Sequence, residues 1–243
     1  QYALACMNAG KHVLCEKLAA SNATEFLKMT ECARKNNVSF MEAMLPTTSP
    51  NFSVIRRNLS RLGRIRRYFA AYCQYSSRYD KLQQGDAANV FRTSMSGGAT
   101  MDIGVYTIYP MVALFGMPQS INAQGIILSG GVDGQAAVNM TYHDMNATVV
   151  YSKIADSYLP SEIEGEKGNL LMSGIHVIHD VTFIPHRKPM SGQGPEEERQ
   201  AVGVEIDKSD YFYETAEFID LVEKGKSESE NNSWENSYNT LRV

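Results

Sequence analysis

The sequence predicts two units of different class: a short parallel α/β unit over 1–45, then an α+β domain over 46–243 built on a large, mostly antiparallel, open sheet. Three observations predict this. Helix-period segments alternate with short apolar runs through the first 45 residues, joined by short links. Beyond residue 120, six strand-like runs follow one another with turn signals and no helical crossover between them. A single apolar helix, opened by Gly97-Gly98, stands before those strands.

Taken in order, residues 1–8 read as a helix already in progress, with Ala3, Leu4, Met7 and Ala9 at helical spacing and Gly10 as its stop. The run His12-Val13-Leu14-Cys15 is a buried strand closed by Glu16-Lys17. Ser21 is expected to cap a helix reaching Asn36, with Phe26, Leu27, Thr30 and Ala33 inward, and 38–41 is the next strand. After Pro46–Pro50 come a helix over 51–62, a long strand over 64–76 and a polar, irregular stretch over 77–96. The helix of 97–115 leads into strands at 121–128, 136–143, 147–154, 161–166, 170–172 and 177–184. Residues 189–200 read as a charged Pro/Gly loop, and helices at 211–224 and 233–243 close the chain, free to pack back on the first unit.

At 243 residues the chain is long enough to enclose a core without disulfide or metal staples. It is 43% apolar and 21% charged, which excludes disordered and fibrous classes. With 23 Lys+Arg against 27 Asp+Glu the net charge is −4, which gives no general attraction to nucleic acid or anionic membrane. No apolar run reaches the roughly 18 residues of a membrane span, and no basic-then-apolar leader opens the chain. Cys6, Cys15, Cys32 and Cys73 match no zinc spacing and read as buried free thiols of a reducing, cytoplasmic setting. The Asn-x-Ser/Thr triplets at Asn51, Asn58 and Asn139 read as unused.

Two groups of residues stand out chemically. Glu16-Lys17 lies at the carboxyl end of a predicted parallel strand, the edge where ligands bind in open α/β sheets. A lysine there can hold a hydroxyl oxygen or lend charge to a neighbouring acid, although spacing alone favours a solvated strand end. Asp102 and Tyr106, four apart on an otherwise apolar helix, are expected on one face. The helix macrodipole alone would account for Asp102, and core packing for Tyr106. As a pair they suggest proton exchange, for which a tyrosine needs a nearby cation, a part Lys17 would fill if the two units close on one cleft. The basic run Arg56, Arg57, Arg61, Arg64, Arg66 and Arg67 reads as a solvated helix end and strand face. His176 and His179, three apart in a strand-like stretch, would point to opposite faces, so no metal site is expected.

The segment Ala9-Gly-Lys-His-Val-Leu-Cys-Glu-Lys17 resembles the AGKHVLCEKP signature of the glucose–fructose oxidoreductase/inositol dehydrogenase (Gfo/Idh/MocA) family. Gly97-Gly-Ala-Thr-Met-Asp-Ile-Gly-Val-Tyr106 resembles its second signature, GGGxLxDxGxY. The closing Tyr is similar to the branch that contains dimeric dihydrodiol dehydrogenase and NADP-dependent xylose dehydrogenase. The stretch from Tyr213 to Lys226 resembles the family's closing helix. The resemblance implies a truncated Rossmann-like sheet, with an N-terminal part of the nucleotide domain outside this chain. It implies hydride transfer between NAD or NADP and the CH–OH group of a sugar, polyol or trans-dihydrodiol. Lys17 and Tyr106 would hold the reacting hydroxyl, with Tyr106 as acid/base and Lys17 favouring its phenolate. Asp102 would orient the substrate or the tyrosine, Glu16 and Lys17 would lie near the cofactor, and Asn89 and Arg92 would touch the substrate.

Two departures accompany the resemblance. Leu18 stands where the family has proline, and no Gly-x-Gly-x-x-Gly occurs anywhere in the chain. The second departure motivates an alternative from another class, a catalytically silent sugar-binding or scaffold homologue. The open sheet has one face with no helix to cover it, which predicts a homodimer or higher homo-oligomer formed through that face.

Overall fold

A computed structural model of the chain describes residues 1–86, 88–186 and 198–243. It divides into two compact units. The first comprises Gln1–Ser49, Ile108–Met117 and Asp207–Val243, and the second Pro50–Thr107 and Pro118–Ile206.

In the first unit, helix α1 (Tyr2–Asn8) leads to strand β1 (Val13–Glu16), helix α2 (Ala23–Asn36) and strand β2 (Phe40–Ala43). The two strands pair in parallel, with Cys15 opposite Glu42. Asn22, rather than Ser21, caps α2: its side chain accepts the Glu25 amide at 2.9 Å, while the Glu25 carboxylate reaches back to the Ser21 amide. The Asn22 cap satisfies one of the orphan donors at the helix start, worth about 1 kcal/mol, and the Glu25 contact holds the residue just before the cap. Asn37, at φ 51°, ends the helix in the left-handed conformation. The inward face of α2 is Phe26, Met29, Thr30 and Ala33, whereas Leu27, expected inside, faces solvent. The spacing of 26, 29, 30 and 33 is the i, i+3, i+4, i+7 stripe, and Leu27 falls off it.

Phe26, Met29 and Ala33 meet Met7, Val38, Phe40 and Trp234 in one apolar cluster. Trp234 belongs to α8 (Trp234–Thr240), and its indole N–H donates to the Phe40 carbonyl at 2.8 Å. The segment before α8 lines the side of β2 away from β1. The Phe40 amide donates to the Ser227 carbonyl, and Asn232 donates to the Glu42 carbonyl at 3.0 Å. Strand β2 is therefore buried along its whole length.

The short helix α3 (Leu45–Thr48) precedes α4 (Pro50–Asn58), the first element of the second unit. The expected helix over 51–62 finishes as a 3₁₀ turn, Leu59–Leu62. Strand β3 (Ile65–Cys73) follows, and the stretch expected to be irregular contains α5 (Ser77–Gln83), a helix with no buried residue and so no apolar stripe to announce it. After the helix α6 (Val105–Phe115) come β4 (Ser120–Ile127), β5 (Asp133–Thr141), β6 (Asn146–Ser152), β7 (Ser161–Gly165), β8 (Gly168–Met172), β9 (Thr182–Pro185) and β10 (Gln200–Ala201). Helix α7 (Asp210–Glu223) closes the list.

Among the described residues β3 to β10 form one sheet in the order β10-β9-β8-β7-β3-β6-β5-β4. Only the β3–β6 pairing is parallel. The sheet is thus large, open and mostly antiparallel, and the first unit has a small parallel sheet of its own. The strand expected at 177–184 is confined to Thr182–Pro185. The reason is Asn51, which is fully buried. Its amide donates to the carbonyls of Ile178, His179 and Val204 at 3.0, 3.2 and 3.0 Å, and its oxygen accepts the Val204 amide at 2.7 Å. A side chain has taken the backbone groups that a strand ladder would use. His176 and His179 accordingly do not lie in a strand.

Four of the six clustered arginines, Arg56, Arg61, Arg66 and Arg67, are held by carboxylates or aromatic faces. Arg66 pairs with Glu166, Arg67 with Glu164 at 2.6 Å, and Arg61 covers the Phe183 ring at 3.9 Å. All four cysteines are unpaired, but Cys6 is exposed and the other three are half-buried rather than buried. Of the loop expected at 189–200, residues 189–197 lie outside the described residues, and Gln200 is already the first residue of β10.

Candidate functional site

The second signature forms a tight structure on the large sheet. Thr100–Gly104 is a turn of π-helix that leads directly into α6 and carries Asp102. Single π turns inside helices are often found at functional sites, where they re-aim side chains. The start of this turn is held by Asp133 at the head of β5, which accepts both the amide and the hydroxyl of Thr100 at 2.8 Å. The Tyr151 hydroxyl, on β6, completes the chain at 2.8 Å from Thr100 Oγ1. Gly98 is needed for that arrangement. Its φ is +129°, and a Cβ there would stand 2.2 Å from Asp133 Oδ1. Gly104 lets the turn lie flat on the sheet, since a Cβ there would press on the Tyr151 ring at 3.0 Å.

Asp102 does not stand alone. Its Oδ2 pairs with the ammonium of Lys153, the residue that follows β6. The Lys153 side chain is 9% exposed and that of Asp102 33%, so the pair opens toward solvent on the carboxylate side. Lys153 is fixed on both sides of its backbone, donating to the Gly134 carbonyl at 2.8 Å and accepting the Ser76 amide at 2.9 Å.

Tyr72, near the end of β3, links this pair to Tyr106. Burial first, and the Asp102 charge second, push the Tyr72 phenol above its ordinary range. Its ring meets Tyr106 edge-on at 5.8 Å and stacks on His176 at 4.1 Å with 5° between the planes. The second unit therefore brings Asp102, Tyr106, Lys153, Tyr72 and His176 into one contiguous group. Asn89 and Arg92 are both exposed. Asn89 opens the 3₁₀ turn Asn89–Phe91, and the Arg92 carbonyl accepts the amides of Met95 and Gly97, so the visible work of Arg92 is to shape the entry into Gly97-Gly98.

In the first unit, Glu16 ends β1 exposed and Lys17 is half-buried, with a cis peptide to Leu18. The loop after Lys17 is tied to β2, because the Ala19 amide donates to Glu42 Oε1 at 2.8 Å. Burial drives the enclosed Glu42 carboxyl upward, opposed by Ser237, the Ala19 amide and the Lys17 charge. Glu214 on α7 is 4% exposed, and its Oε2 has no hydrogen-bond partner among the described residues. Burial, then the charge of Glu16, raises its pKa to about 7.

Lys153, Tyr72, Asp133 and Glu214 are absent from a reading of the sequence by motif. The signal that could have found Lys153 is a lone cation closing the apolar run 147–154. For Asp133, in a turn signal, and Tyr72, one of 13 tyrosines, the sequence carries no comparable mark. Among the described residues no group of three His, Cys, Asp or Glu is placed to hold a metal ion.

The Glu214 environment makes a prediction about pH. Its folded pKa of about 7 lies above the ordinary carboxylate value, so between those values the unfolded chain ionises first and stability falls as pH rises. Glu214→Gln is therefore as stable as the parent at pH near 4 and becomes progressively more stable than the parent up to about pH 7. Thermal unfolding of both proteins across that window checks it, and a constant difference at every pH would contradict the assignment.

Comparison with known proteins adds the lineage. The GFO/IDH/MocA C-terminal domain matches residues 58–171. The chain is 42% identical over 243 residues to scyllo-inositol 2-dehydrogenase (NADP(+)) IolU of Bacillus subtilis (strain 168), covering 100% of this chain and 71% of that protein. It is 30% identical over 171 residues to trans-1,2-dihydrobenzene-1,2-diol dehydrogenase of Xenopus tropicalis, covering 68% of this chain and 49% of the relative. The fold is similar to that of KijD10, a 3-ketoreductase from Actinomadura kijaniata solved with NADP, at a TM-score of 0.79 and 20% identity, over 99% of this chain and 71% of that one. Agreement of both signatures, the 42% identical relative and the fold leads to one conclusion: the chain belongs to the GFO/IDH/MocA family.

Proposed function

We propose that the protein is an NAD(P)-dependent oxidoreductase that acts on the CH–OH group of a sugar, polyol or trans-dihydrodiol, in the cytoplasm. The observation that carries this reading is the gathering of the second-signature residues Asp102 and Tyr106, with Tyr72, around an enclosed ion pair on the large sheet. Relatives that act on an inositol and on a dihydrodiol support the substrate class. A 42% identical relative whose name includes NADP(+) supports the cofactor class.

The residues present suit the nicotinamide end of such a cofactor. Glu16 and Lys17 stand at the carboxyl end of β1, and the buried Glu214 beside Glu16 has an acceptor oxygen in want of a donor, as a carboxamide N–H or a ribose hydroxyl would provide. Bound nicotinamide would supply the hydride acceptor. Tyr106 is assigned the proton of the reacting hydroxyl, taken on Oη as the C–O bond becomes a carbonyl. Lys17 is assigned the hydroxyl oxygen and the positive charge that favours a phenolate. Asp102 orients the substrate, and Asn89 and Arg92 are assigned to its outer end. In the complete protein, Tyr106→Phe should abolish turnover while leaving dinucleotide affinity nearly intact, as judged by dihydronicotinamide fluorescence. Retained turnover would refute the acid/base role.

We further propose a homodimer or higher homo-oligomer formed through the uncovered face of the large sheet. In support, every residue of the edge strand β4 is exposed, including Ile121, Ile126 and Ile127 at 39%, 49% and 67%. Exposed isoleucines grouped on one strand of the sheet form an apolar patch of the kind that marks an interaction surface. Light scattering should give at least twice the chain mass, and a monomer at every concentration would sink the proposal.

A further inference from the structure

Lys153 has a physical oddity that the proton chemistry assigned above does not use. An ammonium carries three N–H donors and no acceptor. The Lys153 side chain is more than nine-tenths enclosed, yet among the described residues its one hydrogen-bond acceptor is Asp102 Oδ2. Taking an ammonium out of water carries a cost that one carboxylate only roughly offsets, and the cost is recovered in full only when the remaining donors are also satisfied. A pair kept for stability alone would be served as well by two apolar side chains. Lys153 instead keeps donors to spare, its backbone is pinned at both ends, and its partner carboxylate is the more exposed member of the pair.

We propose that Lys153 is a substrate-binding residue and that Asp102 and Lys153 together read two adjacent hydroxyls of a polyol. The inference rests on the oxidoreductase reading and deepens it by naming the feature recognised. In a gauche vicinal diol the two oxygens stand close to hydrogen-bond distance from each other. A carboxylate and an ammonium in direct contact present an acceptor and a donor at the same separation. One hydroxyl donates to Asp102 and its neighbour accepts from Lys153, which completes the shell of the ammonium. The rings of Tyr72, Tyr106 and His176, grouped with the pair through Tyr72, add apolar surface for the C–H side of a ring that carries those hydroxyls. A lone alcohol meets only half of this arrangement and leaves a buried donor unpaired, a strong basis for rejection.

The test is a double-mutant cycle read by calorimetric binding of scyllo-inositol, myo-inositol and trans-1,2-cyclohexanediol to the complete protein, nucleotide-binding part included. Lys153→Met should weaken binding of these diols at least tenfold. In the Asp102→Asn background no carboxylate charge is left to balance, so a lysine that served only as counter-ion would no longer matter. The proposal predicts that Lys153→Met still costs about tenfold there. Equal affinities for Asp102→Asn and for the double variant would overturn it. Should the single Lys153→Met variant fail to fold for want of a counter-charge, the comparison within the Asp102→Asn background decides alone. A parent protein that neither binds nor oxidises any of the three polyols would overturn the oxidoreductase reading as well, whereas turnover by the parent with no effect of Lys153 would overturn this inference only.

Discussion

An ammonium enclosed by protein needs a counter-charge, and the contact between Lys153 and Asp102 meets that need at the centre of the candidate site. Much of the local architecture follows from placing Asp102 where Lys153 can reach it. A π turn carries the carboxylate, Asp133 holds the start of that turn, and Gly98 leaves room for Asp133. Gly104 brings the same turn down onto Tyr151, and Tyr72 joins the pair to Tyr106. The Gly-Gly…Asp…Gly…Tyr pattern is in this sense a packing instruction as much as a chemical one. Its glycines allow a charged turn to sit on a sheet whose strands supply the partner.

The first unit solves a different problem. A parallel pair of strands is too small to bury itself, and the return of residues 226–240 to β2 gives it a second flank. Trp234, Asn232 and Ser227 each bond to the backbone of β2. The Glu42 carboxylate on that strand then ties the Ala19 amide, so the loop behind Lys17 is anchored to the most enclosed strand of the unit. Glu214 faces Glu16 from α7 with one oxygen unpartnered, an arrangement that a bound donor would relieve.

Much of this was legible in the sequence because apolar spacing is local. Phe26, Thr30 and Ala33 place α2, and the alternation through 136–154 places two paired strands. What escaped was non-local. The segment at 177–181 has the apolar residues of a strand, but Asn51, 127 residues from Ile178, captures its carbonyls. Helix α5 buries no residue and has only Tyr79 and Leu82 as a half-buried pair, too short a stripe to betray it. Asp102 and Tyr106 were visible by motif, whereas Lys153 lies 51 residues beyond Asp102 and no spacing rule connects them. A partner made by the sheet can be read only from the sheet.

The central claim is that this assembly moves a hydride from a carbinol carbon to a nicotinamide. Isotope transfer tests it most directly: the protein is mixed with oxidised nicotinamide dinucleotide and scyllo-inositol deuterated at its ring carbons, and the reduced nucleotide is examined by mass spectrometry. The account predicts that deuterium appears on the nicotinamide ring, with one label for each carbonyl formed. Polyol binding without label transfer, to NAD or to NADP, would contradict it and would leave a sugar-binding homologue in its place.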